Sequence, residues 1–470
     1  ADPTNVFALD DIRLITGYEV DPILASEDDL ETLMRGSDGQ TGSADIQQAL
    51  TDLGVGGPLD EDEDMGGREE DDDDTVAVDP NEAPIIRVVN VLISQAIRDK
   101  ASDIHIEPER RSVRTRYRID GVLHEVMTLP KYLHAALISR IKIMSELNIA
   151  ERRVPQDGHI RIRHEGRDFD IRVSTIPTVF GEKVVMRLLE QGSVLMGLEK
   201  LGFFPDTQAD MESIISQPHG IILTTGPTGS GKSTTQSAVL NKLVSPEVNI
   251  MTVEDPVEYI IPGVNQVHVN RKAGLTFAAA MRSFLRQDPD IIMVGEIRDL
   301  ETAETAVQAS LTGHLVLSTL HTNDAPTAIT RLVDMGIEPF LVAASLTGSL
   351  AQRLARTICK ECKEAYQPPT EAVARLGLTP EEGEKVTFYR GKGCEVCRHT
   401  GYKGRIGIFE LMLVNADIRD MIVKRAPLSE IRAAAKANGM KNLREDGIEK
   451  VVEGMTTIEE IMRVVFTAGE

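Results

Sequence analysis

The chain has no tryptophan, and aromatic residues make up only 4% of its 470 positions. Platforms for stacking bases are therefore scarce, which argues against a protein built to hold single-stranded nucleic acid. Cysteine occurs four times, too rarely for a small disulfide-packed scaffold. No stretch approaches the ~18 apolar residues that a membrane-spanning helix needs. The opening Ala1-Asp2-Pro3 begins neither a basic nor an apolar segment, so no signal peptide is expected. Without an initiating Met, the chain reads as part of a longer one. Basic residues number 51 against 74 acidic ones, a net charge of −23, and such a balance disfavours non-specific binding to phosphate backbones. Much of that charge is local. Residues 60–74 hold eleven acids against Arg68, a net of −10, which leaves −13 for the rest. A block of this kind repels itself and stays solvated, as a linker does. With 41% hydrophobic and 27% charged residues, the composition is otherwise that of a globular protein. At about 150 residues per domain the length suggests roughly three domains.

The pattern along the chain divides it further. Residues 1–57 read as part of an N-terminal module, and 58–83 as an acidic flexible linker. Residues 84–192 read as an α+β domain. The run 84–100 places Ile85, Val88, Val89, Leu92, Ile93 and Ile97 at helical spacing. Alternating strands follow, with Asp120-Gly121 and Glu165-Gly166 as hairpin turns. From 193 to 356 short apolar runs (221–225, 249–253, 291–294 and 314–319) alternate with helical segments, the pattern of an α/β parallel sheet covered by helices. A cysteine-bearing insert occupies 357–405, and 406–470 reads as a helical C-terminal region.

Residues Gly226-Pro227-Thr228-Gly229-Ser230-Gly231-Lys232-Ser233 fit the phosphate-loop pattern G-x-x-x-x-G-K-S between a buried strand and a helix. The glycines let backbone N–H groups turn toward phosphate oxygens. Lys232 suits the β- and γ-phosphates, and the Ser233 hydroxyl suits Mg²⁺; Thr234 continues the binding segment. The expectation is a nucleotide triphosphatase, or at least a nucleotide binder. A second apolar strand ends at Gly295-Glu296, where such enzymes place a carboxylate for the metal shell. Many have Asp before the Glu, so here Glu296 must serve metal, water or both, unless it only pairs with Arg298. Glu254 and His321 stand at two further strand ends. Glu254 is a candidate base and His321 a candidate γ-phosphate sensor, although either alone is as readily structural.

The four cysteines form Cys359-x-x-Cys362 and Cys394-x-x-Cys397. Two such knuckles suit a tetrahedral, structural Zn²⁺ with no open position. A redox or disulfide role and unpaired thiols are the alternatives.

The loop GPTGSGKSTT, the box VEDPVEY, the segment RSFLRQDPDIIMVGEIRDLETAETA and the box LTGHLVLSTLHTNDA closely resemble the secretion motor ATPases that drive type II secretion (general secretion pathway protein E) and type IV pilus assembly. The segments ASDIHIEPE, RYRIDGVLHEV, AERRVPQDG and IRVSTIPTVFGEKVVMRLL resemble the domain before the motor in that family, and the likeness runs from about 84 to 465. The resemblance implies an ATP-hydrolysing homo-hexamer with a RecA-like motor, a mobile PAS-like preceding domain, and nucleotide between the two. It implies catalytic roles for Arg172 and Arg187 of the preceding domain. It also implies nucleotide or neighbour contacts for Arg282, Arg286 and Arg298, each of which could instead be a surface ion pair. It implies a cytoplasmic location, peripheral at the bacterial inner membrane through a membrane platform and docking proteins, and a tetracysteine zinc element that some pilus retraction motors lack. Residues 1–57 resemble part of the docking module, which binds cyclic-di-GMP in some members. One departure is Gln236-Ser237, where the family has an apolar–aromatic pair. Type II export, slightly favoured, and pilus assembly both fit. A nucleic-acid translocase and a nucleotide-gated scaffold without turnover are the readings from other classes.

Overall fold

The structure is a computed structural model that describes residues 83–191, 197–377, 379 and 386–465. The expected N-terminal module and nearly all of the acidic linker lie outside the described residues. The chain divides into two compact units, one comprising residues up to 164 and 170–188, the other 189–470 together with 165–169.

The first unit opens with helix α1 (Ala83–Arg98) and continues through β1 (Asp103–Pro108), β2 (Ser112–Ile119), β3 (Val122–Pro130), α2 (His134–Met144), β4 (Gln156–His164), β5 (Arg167–Thr178) and β6 (Gly181–Gln191). The strands form one six-stranded sheet in the order β3-β2-β1-β6-β5-β4. The apolar stripe of α1 is buried throughout, including Ile85, Val88, Leu92 and Ile97. The Tyr117 hydroxyl anchors the helix to the sheet by donating to the Leu92 carbonyl at 2.7 Å. The turns at Asp120-Gly121 and Glu165-Gly166 each hold two consecutive residues at positive φ, the geometry that matches the twist of a tight hairpin.

Strand β1 is buried at every position, yet it alternates Ile104 and Ile106 with Asp103, His105 and Glu107. The acids survive burial because neighbouring strands bring cations into register. Asp103 stands opposite both Arg118 and Arg187. Glu107 accepts from Arg116 and Lys183, each at 2.8 Å. Burial alone would raise the Glu107 pKa, but hydrogen bonds from Arg116 and Lys183 outweigh it and hold the carboxyl at about 2.

A second buried pair joins α2 to β6. Lys142 Nζ lies 2.6 Å from Glu182 and donates to the Glu151 carbonyl at 2.7 Å. Gln156 Nε2 donates to the same carbonyl at 2.8 Å, so the Ala150–Gly158 run is tied back onto α2.

The second unit holds the larger sheet, with strands β7 (Gly220–Thr225), β8 (Ile250–Glu254), β9 (Val264–His268), β10 (Ile291–Val294), β11 (Leu315–Leu320) and β12 (Leu346–Ile358). Its helices are α3 (Pro205–Ile215), α4 (Lys232–Leu243), α5 (Phe277–Phe284), α6 (Leu300–Leu311), α7 (Thr327–Asp334) and α8 (Pro339–Ser345). Beyond it come β13 (Lys363–Tyr366), α9 (Thr370–Leu376), β14 (Phe388–Gly391), β15 (Tyr402–Leu413), and helices α10 (Ala416–Val423), α11 (Leu428–Ala437), α12 (Leu443–Val452) and α13 (Ile458–Val465). The seven-stranded sheet runs β15-β12-β7-β11-β10-β8-β9. Six strands are parallel, and β15 closes the edge antiparallel to β12. Separate apolar clusters contain Ile221, Leu223, Val294 and Val316 on one side, and Ile222, Met293, Leu315 and Leu317 on the other. The continuous apolar runs thus reflect burial on both faces.

The limits expected for the cysteine insert, 357 and 405, fall inside β12 and β15. These two strands pair from Gly348↔Leu413 out to Ile358↔Tyr402, so the insert grows from the end of a long ribbon shared with the seven-stranded sheet.

Replacing Lys142 with Met should strand Glu182 in the interior and cost about 3–5 kcal/mol. The double variant Lys142→Met/Glu182→Leu should recover most of that loss. Urea unfolding of both variants against the parent measures the difference.

Candidate functional site

The site begins where β7 ends. Thr225 closes the strand, residues 226–231 form the loop, and α4 starts at Lys232. The loop rests on β12. A Cβ at Gly226 (φ +149°) would come 2.5 Å from the Gln352 carbonyl oxygen, and one at Gly231 (φ +91°) would come 2.8 Å from Gln352 Nε2. Only glycine satisfies both the left-handed backbone and the close approach. The Thr235 hydroxyl, one turn into α4, donates to Gln352 Oε1 at 2.8 Å and pins the helix to the same strand.

Lys232 Nζ donates to the carbonyls of Gly226 at 2.8 Å and Pro227 at 3.1 Å. Burial is the main cause that lowers its pKa to about 8; Arg353 adds to the lowering, while Glu296 and Glu258 oppose it. Ser233 is exposed on the first turn of α4, and Thr234 shares a hydroxyl contact of 3.3 Å with Tyr259. Ser230 Oγ is buried without a hydrogen-bond partner. A left-handed loop running into a helix N-terminus, with an ammonium on its own carbonyls, fits a polyphosphate.

The carboxylates stand on neighbouring strand ends. Glu296 follows β10, pairs with Arg298, and lies 3.5 Å from His321 Nε2. The His321 segment is fastened to the phosphate-loop strand, since the Thr322 N–H donates to Thr225 Oγ1 at 2.8 Å. Lys232, Glu296 and His321 therefore gather at the C-terminal edge of the parallel sheet, where such folds bind ligands. Glu254 ends β8 and is buried. Its Oε1 accepts from Thr252 at 2.6 Å and Gln266 at 3.0 Å. Burial pushes its pKa above the usual carboxylate range despite those two bonds. A Cβ at Gly295 would lie 3.4 Å from the Glu254 Cα, so the missing side chain lets the β10 end pack close to Glu254.

The expected arginines divide between the units. Arg282 pairs with Glu301 on α6, and Arg286 donates to the Arg282 carbonyl at 2.8 Å. Arg172 lies on β5 and Arg187 on β6 of the first unit. Arg187 Nε donates to Asp103 at 2.9 Å.

The four cysteine sulfurs lie within 4.8 Å of one another. Cys359–Cys394 are 3.9 Å apart, while Cys362–Cys397 and Cys394–Cys397 are each 3.7 Å apart. These separations are far too long for disulfides, whose S–S bond is ~2.05 Å. They match the ~3.8 Å edge of a tetrahedron with ~2.3 Å Zn–S bonds. Backbone N–H groups of Gly393 and Gly401 donate to Cys362 and Cys397 at 3.3 Å, as expected around thiolate ligands. The donor set fits zinc.

Comparison with known proteins agrees with this geometry. The family model described as "Type II/IV secretion system protein" matches residues 79–463. The chain is 47% identical over 466 residues to the type IV pilus assembly ATPase PilB of Thermus thermophilus, covering 98% of this chain and 51% of that protein. It is 48% identical over 426 residues to the type II secretion system ATPase E of Vibrio cholerae, covering 90% and 83%. Among solved structures, the pilus retraction motor PilT with bound ADP aligns with a TM-score of 0.54 at 27% identity, covering 79% of this chain and 95% of that one. The chain belongs to the type II/IV secretion motor ATPase family. It spans about half the length of the Thermus relative.

Within this family's motor unit, Gln236 departs from the expected apolar residue. Its side chain turns away from the loop and into the core, where it is 2% exposed. Nε2 donates to Thr224 Oγ1 at 2.8 Å and the Ser318 carbonyl at 3.2 Å, whereas Oε1 has no partner. Gln352, Arg353 and Asn323 escaped the sequence reading. Arg353 donates to the Asn323 carbonyl at 3.2 Å and thereby links β12 to the His321 loop. Gln352 and Arg353 lie in the run SLAQRL, which carries no local sign of chemistry.

An orphaned buried acceptor costs about 1–3 kcal/mol. Gln236→Leu should therefore raise thermal and urea midpoints, by about 1 kcal/mol, with nucleotide binding unchanged. A lower midpoint would show that Nε2 is worth more to the sheet than Oε1 costs.

Proposed function

We propose that this protein is an ATP-hydrolysing motor of a type II secretion or type IV pilus assembly machine, working as a homo-hexamer. The reading is carried by the convergence of Lys232, Glu296 and His321 beside a glycine-only loop at one sheet edge. Lys232 would leave its loop carbonyls for the β- and γ-phosphates. Mg²⁺, held through Ser233 and Glu296, would supply charge neutralisation at the phosphate oxygens. Glu296 orients the attacking water, His321 senses the γ-phosphate through its contact with Glu296, and Glu254 is the candidate base because burial keeps it basic. Arg172 and Arg187 complete the charge on the transferring group when their unit closes on a nucleotide, which couples cleavage to movement. Zn²⁺ in the Cys359, Cys362, Cys394 and Cys397 cluster has a structural role, since four protein thiolates fill a tetrahedron.

Movement would be passed to inner-membrane platform and docking proteins, and no nucleic acid takes part. Membrane association would run through those partners; no described helix is long and apolar enough to cross a bilayer. The 47% and 48% identities to a pilus and an export ATPase favour neither machine. Cyclic-di-GMP binding, which some members show through the docking module, would fall in the N-terminal region outside the described residues.

Steady-state ATPase assays test the reading. Lys232→Ala should lower turnover by about 100-fold or more; equal rates for parent and variant would overturn the assignment. If Glu254 is the base, kcat/KM falls as pH drops through its raised pKa, and Glu254→Gln removes that acid limb. Metal analysis should find zinc bound to the chain, and its removal by a chelator, or Cys394→Ser, should expose the insert to proteolysis.

A further inference from the structure

Several buried or half-buried cations among the described residues have carboxylate partners. Lys142 has Glu182, Arg356 has Glu460 at 2.8 Å, and Lys450 has Asp446. Arg353 has no carboxylate in direct contact. It is partly buried, and its hydrogen bonds end on neutral oxygens: the Gln352 carbonyl at 3.2 Å, the Asn323 carbonyl at 3.2 Å and Asn323 Oδ1 at 3.3 Å. Asp324 and Glu410 attract it only at longer range, and both are engaged elsewhere. Asp324 pairs with Arg432, and Glu410 accepts from the backbone N–H groups of Ala325 at 2.7 Å and Leu443 at 3.3 Å. Removing a guanidinium from water without a directly bonded counter-ion is costly. Such a residue persists where an anion is to arrive.

The position of that guanidinium says which anion. Arg353 follows Gln352, the residue on which the phosphate loop rests. Arg353 Nη1 would stand 3.3 Å from a Cβ on Gly226. The Gly226 carbonyl is also the seat of the Lys232 ammonium, at 2.8 Å. Two cations thus share the first residue of the loop, at the end where Lys232 suits the β- and γ-phosphates. Their mutual repulsion, with burial, keeps the Lys232 pKa low, and a polyanion between them would relieve it.

We propose that Arg353 is a phosphate-contacting residue of the ATP site, supplied in cis by β12, and that it makes the site prefer ATP over ADP by binding the terminal phosphate. This rests on the reading that ATP occupies the phosphate loop. It differs from the arginines of the first unit, which need a closing movement, because Arg353 belongs to the sheet that carries the loop. Its bonds to Asn323, two residues after His321, also tie recognition of that phosphate to the sensor loop.

The experiment measures the affinity of the full chain for a non-hydrolysable ATP analogue with Mg²⁺, and separately for ADP. It compares the parent with Arg353→Ala, Arg353→Lys, Asn323→Ala and Lys232→Ala. Arg353→Ala should weaken the analogue about tenfold, the scale of a lost charge-assisted hydrogen bond, and ADP less than about twofold on the same scale. Arg353→Lys, which keeps charge and stem, should fall between parent and Ala, and it carries the test if the Ala variant does not fold. Asn323→Ala should leave the preference for ATP in place. Equal losses for both nucleotides, or Asn323→Ala reproducing the Arg353→Ala result, would reduce Arg353 to a loop staple and overturn the proposal. Weak binding by Lys232→Ala with parental behaviour of Arg353→Ala would overturn this proposal alone. Parental binding by Lys232→Ala would overturn the phosphate-loop reading and this proposal with it.

Discussion

The contact on which the motor unit depends is the seating of the phosphate loop on Gln352. Backbone and side chain of that residue leave no room for a Cβ at Gly226 or Gly231, and its amide oxygen holds Thr235 at the start of α4. The loop therefore cannot be shaped by β7 and α4 alone. It needs β12 as a neighbour, parallel to β7 and in the register that sets Ala351 beside Thr225. Once β12 is there, Arg353 necessarily follows at the mouth of the loop. On the other flank of β7, the Thr225 hydroxyl links to Thr322, which fixes the His321 segment and, through it, the surroundings of Glu296. One strand end thus orders three sides of the site.

Buried charge is handled in two ways. In the first, acids and bases are matched row by row: Asp103 between Arg118 and Arg187, and Glu107 between Arg114 and Lys183 with Arg116 alongside. Such rows fix strand register, because a one-residue slip would turn every ion toward the apolar face. They also hold Arg187 in a defined orientation with more than half of its side chain exposed. In the second, beside the phosphate loop, Lys232 and Arg353 have backbone and amide oxygens instead. The contrast separates charges that specify a fold from charges held ready for a ligand.

What could be read from the sequence was local. The phosphate loop, both hairpin turns, the α1 stripe and the two cysteine pairs declare themselves within a few residues, because their geometry is set by neighbours in the chain. The contacts that escaped are distant. Gln352 meets Thr235 across 117 positions, and Thr322 meets Thr225 across 97. Nothing in the composition of SLAQRL distinguishes it from an ordinary buried strand. The limits of the cysteine insert escaped for a related reason. A strand that leaves a sheet as half of a ribbon keeps its alternation, so 357 and 405 looked like boundaries only because the chemistry changes there. Gln236 was legible as a departure, but its consequence was not. Its inward turn depends on Thr224 and Ser318, which sequence distance hides.

The glycine at 295 bears on how the chemistry is shared. A second carboxylate there would point into the space beside Glu254 and Phe277, where a Cβ already meets atoms at 3.3–3.5 Å. Its negative charge would raise the Glu254 pKa further. With glycine, the strand end carries a single acid, Glu296, whose charge is offset by Arg298 and faced by His321. Glu254 stays close but chemically separate, buried and with its pKa raised by that burial. Two carboxylates in unlike environments can divide the work between holding charge and accepting a proton, and the missing side chain at 295 keeps those environments unlike.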